Sequence, residues 1–310
     1  MNILLTTTSF QDTPGKHQDL LEAQDFVITR LRGPLTAEEL LPIIHEFDAV
    51  ICGDDEYTTE VLEKGFSGRL RYLSKYGVGL DKIDLAKAKE LGIPVANCPS
   101  VNQVSVAEHV FALLLAYAKH IPQEYNITKA GQWKRYVNRE LYGKTLGIVG
   151  LGAIGKEVAK RAKAFGLEVI VYDKFPPTDF IVQYNIIQAA SFVELAQQAD
   201  ILTLHTPLTA ETSEIINTEL INTHLKKGAI IINTARGGLV NTNAIIDGLK
   251  SEKVGAYLAD VLDIEPMPAN YALKDMDNVI ITPHISSRTY ESVERQGSMA
   301  VKNLIELIRK

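Results

Sequence analysis

The chain has 310 residues, of which 46% are hydrophobic and 23% are charged, and its formal net charge is −6. These values are ordinary for globular proteins and exclude fibrous and intrinsically disordered classes. The acidic balance, with no Lys/Arg-rich run, argues against a nucleic-acid partner. No signal peptide is expected, because MNILLTTTSF has no positive region before its apolar residues.

Membrane insertion and a disulfide framework are also unexpected. The longest apolar run, residues 110–118, is too short to span a bilayer, so we expect no membrane partner. Cys52 and Cys98 are the two cysteines, and they lack CxxC spacing, which suits a reducing compartment. We therefore expect a cytoplasmic protein, long enough for two domains.

Short apolar segments alternate with helical patterns over the first hundred residues. This alternation indicates a parallel sheet with helices on both faces. Thr36 is placed to cap the first of the helices. Predicted strands lie at residues 3–6, 26–29, 49–52, 72–74 and 95–97, and predicted helices at 38–47, 60–64 and 85–91.

The longest helical pattern covers VNQVSVAEHVFALLLAYAKHI, which begins at Val101. Its second half is apolar nearly all round, so it is expected to be buried. Two interpretations stay open, because an apolar pattern does not identify the surface that covers the helix. The helix is either part of a domain core or, across residues 101–118, bridges two domains and also contacts a second subunit in a homodimer.

A glycine-rich unit follows at residues 144–173, KTLGIVGLGAIGKEVAKRAKAFGLEVIVYD. A predicted strand at Thr145–Val149 precedes Gly150, Gly152 and Gly155 in GxGxxG spacing, and an amphipathic helix follows. The first glycine allows a tight turn, the second allows close approach of a pyrophosphate, and the third allows helix and strand to pack. GxGxxG alone could be an ordinary turn, but here the whole strand–turn–helix–strand order is present. The unit therefore predicts dinucleotide binding.

Asp173 ends the second strand of this unit, 18 positions after Gly155. A carboxylate there can accept hydrogen bonds from the ribose hydroxyls and would repel a 2′-phosphate, so NAD is the predicted cofactor rather than NADP. Lys174 follows directly and weakens that preference.

The alternation resumes to residue 284, with predicted strands at 201–204, 229–233, 254–258 and 279–282 and a last helix at 286–308. After the last strand the chain can cross back to complete the first domain. We therefore predict two doubly wound parallel-sheet lobes with a cleft between them.

Three predicted strands of the second lobe end in charged or titratable residues. Arg236 follows one strand in NTARGG, Glu265 follows the next in ADVLDIEP, and His284 follows the last in TPH. A guanidinium can clamp a carboxylate, and a His beside a Glu can act as both acid and base near neutral pH. Each residue alone has a simpler structural explanation, but the three together at neighbouring strand ends indicate an active site.

These motifs also carry a resemblance. With KYGVGLDKIDL at 75–85, SVAEHVFALLLA at 105–116, GLGAIG at 150–155 and HTPLT at 205–209, in this order, the chain resembles the D-isomer-specific 2-hydroxyacid dehydrogenases over nearly its whole length. The resemblance implies an NAD-dependent enzyme interconverting a D-2-hydroxy acid and its 2-keto acid. It also implies a Rossmann NAD-binding domain at 101–284 inserted into a flavodoxin-like substrate-binding domain at 1–100 and 285–310.

The resemblance further implies a role for each site residue. His284 corresponds to the acid/base, Glu265 to its carboxylate partner, and Arg236 to the residue that holds the substrate carboxylate and polarises the carbonyl. Backbone N–H groups of Val78 and Gly79, in the first lobe, correspond to the groups that bind the other side of the substrate carboxylate. The residues implied for the cofactor are Gly150, Gly152, Ala153, Ile154, Gly155, Asp173, Thr206, Thr234, Ala235 and Asp260, with Asp260 orienting the nicotinamide carboxamide.

The sequence leaves two classes of substrate open, phosphorylated and unphosphorylated. Phosphoglycerate dehydrogenases of this family usually have an Arg after the strand at Ala49–Cys52, whereas this chain has Gly53-Asp54-Asp55-Glu56, three acids that would repel a phosphate. Lys75 is the cation placed to compensate. No regulatory domain is expected after residue 310. A small unphosphorylated 2-keto acid such as glyoxylate or hydroxypyruvate is therefore favoured, and 3-phosphoglycerate is the alternative.

Two rival functions are compatible with parts of the sequence. The corepressors of the same family use the NAD fold as a nucleotide-sensing partner-binding module, but the set Arg236, Glu265 and His284 favours an enzyme. No metal site is expected, because the histidines are scattered and neither HExxH nor Cys/His spacing is present. His109, on the long helix, is interpreted as packed or partner-facing.

Overall fold

The computed structural model describes residues 1–309 and divides the chain into two compact units. The first unit contains Met1–Asn102 and the chain from Ser287 onward, and the second contains Gln103–Ser286. Over the described residues, no helix by itself has the length and apolarity to cross a membrane. Gln103–Ala118 and Ile121–Lys129 meet that criterion only as a pair, bent by 61°.

The first unit is built on a five-stranded sheet in which every neighbouring pair is parallel. The spatial order β2-β1-β3-β4-β5 is that of the flavodoxin-like doubly wound fold, as predicted. Its strands are β1 (Asn2–Leu5), β2 (Val27–Arg30), β3 (Ala49–Cys52), β4 (Tyr72–Lys75) and β5 (Val95–Ala96).

The helices of the first unit differ from the prediction in two respects. Two short helices, at Thr8–Asp12 and Lys16–Glu22, were not predicted. A single helix was expected at 38–47, but the chain forms one helical turn, capped by Thr36 as predicted, and a separate 3₁₀ turn at Ile44–Glu46. Pro42 lies between them, and a proline inside a helix removes one hydrogen bond and clashes with the preceding turn. The helices are α1 (Thr8–Asp12), α2 (Lys16–Glu22), α3 (Ala37–Leu40), α4 (Thr59–Ser67), α5 (Leu85–Glu90) and α12 (Tyr290–Arg309).

Both faces of this sheet are buried. Leu4 and Val50 face one apolar layer, whereas Ile3 and Ile51 face the other. This alternation is expected of a parallel strand covered on both sides. Leu304 of α12 packs in the second layer, so the last helix completes the first unit.

The second unit contains a seven-stranded, fully parallel sheet. Its order β12-β11-β10-β9-β6-β7-β8 is the Rossmann order with one added strand, as predicted. The strand order reverses beside β6, and ligands of such sheets bind at the carboxyl ends of the strands there. The strands are β6 (Thr145–Val149), β7 (Glu168–Tyr172), β8 (Ile187–Gln188), β9 (Ile201–Leu204), β10 (Ala229–Asn233), β11 (Val254–Ala259) and β12 (Val279–Ile281).

The long helix α6 lies in the core of the second unit. Its buried residues include Val110, Phe111 and Leu114, which belong to the same apolar cluster as Leu146 and Ile148 of β6. Burial within its own unit therefore explains most of its apolar surface. The helices are α6 (Gln103–Ala118), α7 (Ile121–Lys129), α8 (Ala153–Ala164), α9 (Thr178–Gln183), α10 (Phe192–Gln198) and α11 (Thr242–Lys250).

Candidate active site and cofactor site

The turn between β6 and α8 contains three glycines in different surroundings. Gly150 has a φ of +93°, and a Cβ there would lie 2.5 Å from the His205 carbonyl oxygen. At Gly155 a Cβ would overlap the Gly150 carbonyl oxygen. At Gly152, by contrast, a Cβ would meet no atom within 4 Å. The turn is thus tight at its first and third glycines and open at the second, where the fingerprint places the pyrophosphate.

Groups that fit a dinucleotide lie at the same edge of the sheet as this open position. Ala153 and Ile154 begin α8, and no side chain caps the N–H groups of its first turn. Such N–H groups have no partner within the helix and can donate to phosphate. The Thr234 hydroxyl, at the end of β10, is buried and has no hydrogen-bond partner within residues 1–309. Thr206 and Ala235 follow β9 and β10 at the same edge of the sheet.

Asp173 directly follows β7, as the fingerprint requires. Its Oδ2 accepts a hydrogen bond from Leu151 N at 2.6 Å, and its Oδ1 accepts one from Phe175 N at 2.7 Å. These two bonds fix the carboxylate beside the glycine turn. Because a carboxylate oxygen can accept more than one hydrogen bond, the group can also receive the ribose hydroxyls.

His284 and Glu265 are in hydrogen-bond contact at the carboxyl ends of β12 and β11. The distance from His284 Nδ1 to Glu265 Oε2 is 2.8 Å, and Glu265 Oε1 accepts a hydrogen bond from Leu262 N at 2.7 Å. The carboxylate is therefore held by its own loop while it contacts the imidazole. A carboxylate at this distance stabilises the protonated imidazole.

The His284 backbone has a φ of +54°, in the left-handed region that non-glycine residues seldom adopt. Its N–H donates to the Asp260 carbonyl at 2.9 Å. A residue held in this region at a strand end is typical of functional sites, where surrounding contacts fix the conformation.

Asp260 is the residue whose contacts fix this conformation. It is 1% exposed, and its carboxylate accepts hydrogen bonds from the Thr282 hydroxyl at 2.5 Å, Ile285 N at 2.9 Å and Ser286 N at 2.7 Å. The carboxylate thus binds the chain on both sides of His284. The family resemblance implied a contact with the nicotinamide carboxamide for Asp260, and it did not imply this positioning role.

His109 was interpreted from sequence as packed or partner-facing, and its ring contacts the same network. Its Nε2 lies 2.9 Å from the Thr282 hydroxyl oxygen and 3.6 Å from Asp260 Oδ1. The residue lies on α6, 173 positions from Thr282. No local motif links the two, so only the fold could bring them together.

Arg236 follows β10, the strand beside β11. Its Nη1 donates to the Ala235 carbonyl at 2.8 Å, and the Asn233 side-chain amide donates to the Arg236 carbonyl at 2.8 Å. A Cβ at Gly237 would overlap the Leu262 backbone, so this loop packs directly on the loop that carries Glu265. The arginine, the glutamate and the histidine thus follow adjacent strands of one sheet, in the order that the sequence predicted.

Val78 and Gly79 belong to the first unit, in a loop after β4. Gly77 before them has a φ of +126°, and Val78 is 40% exposed. Lys75, at the end of β4, is 3% exposed. It donates to the Gly53 carbonyl and forms an ion pair with Asp54 at 2.6 Å.

The three acids after β3 are not equivalent, although the sequence suggested one repulsive cluster. Asp55 is fully buried and accepts hydrogen bonds from Thr6 and from two backbone N–H groups. Burial raises the pKa of its carboxyl above the ordinary value. Glu56 pairs with Lys82 at 3.0 Å. Asp54 pairs with Lys75, so each of the three acids has a different environment.

Over residues 1–309, no group of three or more His, Cys, Asp or Glu side chains could hold a metal ion. Cys52 and Cys98 are buried free thiols, and burial raises the pKa of Cys98 to about 11.

Comparison with known proteins agrees with this geometry. Residues 111–286 match the NAD-binding domain of the D-isomer specific 2-hydroxyacid dehydrogenases. The chain is 42% identical over 278 residues to a D-3-phosphoglycerate dehydrogenase of Methanocaldococcus jannaschii, covering 89% of this chain and 52% of that protein. It is 41% identical over 282 residues to a hydroxypyruvate reductase of Thermotoga maritima, covering 89% and 87%.

A solved structure is also similar. The D-lactate dehydrogenase of Aquifex aeolicus, complexed with NAD and lactic acid, has a TM-score of 0.86 and 29% identity, covering 100% of this chain and 96% of that one. The chain spans about half the length of the phosphoglycerate dehydrogenase that it matches. The predicted cofactor, NAD, is confirmed by the matched domain. The chain belongs to the D-isomer specific 2-hydroxyacid dehydrogenase family.

Proposed function

We propose that the protein is an NAD-dependent oxidoreductase that interconverts a D-2-hydroxy acid and its 2-keto acid. The observation that carries the proposal is the contact of 2.8 Å between His284 Nδ1 and Glu265 Oε2, at the carboxyl ends of two strands of the NAD-binding unit. NAD, when bound, supplies or accepts the hydride.

The histidine pair is suited to proton transfer. Because His284 Nδ1 faces Glu265, its Nε2 is the ring nitrogen that would exchange a proton with the substrate oxygen. In reduction the protonated imidazole donates to the carbonyl oxygen, and in oxidation the neutral imidazole takes the hydroxyl proton. Glu265 holds the ring and stabilises its protonated form.

The substrate carboxylate needs a separate binding group. We assign this role to Arg236, whose planar guanidinium can bind a carboxylate through two hydrogen bonds and stabilise charge that develops on the carbonyl oxygen. Backbone N–H groups of Val78 and Gly79 are the second proposed carboxylate contact, on the basis of the family resemblance. Thr206, Thr234, Ala235 and Asp260 are proposed to line the cofactor site.

A small unphosphorylated 2-keto acid such as glyoxylate or hydroxypyruvate is the proposed substrate. Lys75, whose Nζ lies 4.0 Å from the position of a Cβ on Gly77, is buried and already paired with Asp54, so it is poorly placed to bind a phosphate. The similarity to a hydroxypyruvate reductase agrees with this choice. The similarity to a phosphoglycerate dehydrogenase supports D-3-phosphoglycerate as the second candidate.

A kinetic panel tests the proposal. Oxidation of NADH is followed with glyoxylate, hydroxypyruvate and 3-phosphohydroxypyruvate, and the highest kcat/KM is expected with one of the unphosphorylated acids. A preference for 3-phosphohydroxypyruvate would reverse the substrate assignment. NADH binding without oxidation by any keto acid would instead favour a nucleotide-sensing binding module.

A homodimer is also proposed, but its contact surface differs from the one that the sequence suggested. The sequence suggested the helix at 101–118, whose apolar residues are largely buried in its own unit. Exposed apolar side chains follow it instead, at Ile121, Tyr125, Trp133, Val137 and Tyr142. Sedimentation equilibrium should give a dimer, and Trp133→Ser with Val137→Ser should weaken it.

A further inference from the structure

An ion pair lies next to the proposed ribose site. Lys174 follows Asp173 directly, and its Nζ donates to Glu211 Oε2 at 2.7 Å. The hydrogen bond, and then the charge of the partner, lower the pKa of Glu211 and raise the pKa of Lys174. Both side chains are therefore charged at neutral pH.

Glu211 is carried by an ordered turn. The Thr212 hydroxyl donates to the Pro207 carbonyl at 2.7 Å and accepts a hydrogen bond from Thr209 N at 2.8 Å. Ser213 N closes the turn by donating to the Thr209 carbonyl at 2.9 Å. The turn follows β9 closely, at the carboxyl end of the sheet where the glycine turn also lies. The ion pair thus joins two loops of the cofactor edge.

We propose that Glu211 is a specificity residue that selects NAD over NADP by pairing with Lys174. A cation after the ribose-binding acid is a natural partner for a 2′-phosphate, as an arginine is in NADP-binding relatives of this fold. Glu211 engages that cation. The three side chains Asp173, Lys174 and Glu211 then carry a net charge of −1, which disfavours the dianionic phosphate.

The effect is local and moderate. Both partners are solvent-exposed, so each charge interaction with the phosphate is screened by water and salt. Replacing Glu211 with Gln removes one negative charge and releases Lys174. We expect NADPH to bind about 3- to 10-fold more tightly at low ionic strength, and NADH affinity to change less than about 2-fold.

Fluorescence titration of the full chain with NADH and NADPH tests this inference. Glu252→Gln is the matched control, because Glu252 also forms an exposed ion pair, with Lys227 at 3.6 Å, in the same unit. That variant changes the net charge by the same amount and should leave both dissociation constants near wild type. In the double variant Glu211→Gln with Lys174→Met, the gain in NADPH affinity should disappear.

Two results would overturn the inference. One is equal NADPH affinity in the Glu211→Gln and Glu252→Gln variants, and the other is a gain that persists without Lys174. The inference rests on NAD binding and not on the proposed reaction. A protein that shows the affinity shift but reduces no keto acid would refute only the proposed activity.

Discussion

His284 is held by two residues of one loop. Glu265 Oε2 lies 2.8 Å from the ring Nδ1, and the Asp260 carbonyl accepts a hydrogen bond from the His284 backbone N–H at 2.9 Å. Side chain and backbone are thus positioned together. Because precise placement of an acid/base group determines its catalytic contribution, this arrangement makes His284 the first residue to test.

Replacing His284 with Ala should lower kcat for keto acid reduction by about 10²- to 10⁴-fold, because the proton donor is removed. The NADH dissociation constant should remain near that of the wild type. His224→Ala is a suitable control, since His224 lies in a π-helical turn and contacts Gln197. Steady-state kinetics and NADH titration provide the measurements. Activity near wild type in the His284 variant would refute its role.

Glu265→Gln should change the pH dependence. Gln can still accept the hydrogen bond from Leu262 N, but it does not stabilise the protonated imidazole. Reduction needs that protonated form, so the alkaline limit of reduction should move to lower pH. Oxidation needs the neutral form and should extend to lower pH.

The pH profile of kcat/KM, measured in both directions from about pH 5 to about pH 9, decides this prediction. Asp263→Asn provides the control, because Asp263 lies in the same loop but accepts its hydrogen bond from Tyr271, at 2.6 Å. An unshifted profile in the Glu265 variant would show that the contact with His284 does not govern its protonation.

Much of the fold was predictable because its signals are local. The apolar strands and the glycine fingerprint follow one another along the chain, and both predicted sheet types are confirmed. The single helix predicted at 38–47 does not form, because Pro42 interrupts a segment whose apolar residues recur with a helical period. Helices α1 and α2 were missed, and they are short, at five and seven residues.

In the site, too, features with a local signal were predictable and tertiary contacts were not. The strand-end positions of Arg236, Glu265 and His284 could be read from sequence, because adjacent parallel strands place their carboxyl ends at one edge. The contact of His109 with Thr282 could not, since it joins residues 173 positions apart. The separate surroundings of Asp54 and Asp55 were also unpredictable, because burial of one carboxylate is a tertiary property.

Stability should depend on His205. Burial lowers the pKa of this imidazole to about 3, and its Nδ1 is a buried atom without a partner within residues 1–309. The unfolded chain binds a proton near pH 6.5, and the folded chain does not until about pH 3. The free energy of unfolding should therefore fall as the pH decreases through this window. A proton bound only by the unfolded chain corresponds to about 2 kcal/mol of lost stability between pH 6.5 and pH 5. This value is an upper limit, because the residue as a whole is only partly buried.

Urea unfolding at several pH values measures this dependence, with His205→Gln as the comparison. The glutamine variant cannot bind the proton, so its free energy of unfolding should fall less steeply with decreasing pH. Parallel slopes for the two proteins would exclude His205 as the source.

The last prediction concerns His109, which approaches the active site through Thr282. The Thr282 hydroxyl donates to Asp260 at 2.5 Å, so it can accept a hydrogen bond from His109 Nε2 at 2.9 Å. His109 therefore supports the carboxylate that holds the chain on both sides of His284. Because the support is indirect, its loss should misplace the imidazole without removing it.

His109→Leu removes the donor and should lower kcat about 10-fold, with KM and the NADH dissociation constant near wild type. His109→Gln places an amide N–H near the position of Nε2 and should recover most of the rate. A purely structural role would instead lower the melting temperature and leave kcat unchanged in the folded protein. Equal kcat for wild type and His109→Leu would contradict the positioning role, and equal loss in both variants would show that a hydrogen bond to Thr282 is not what matters.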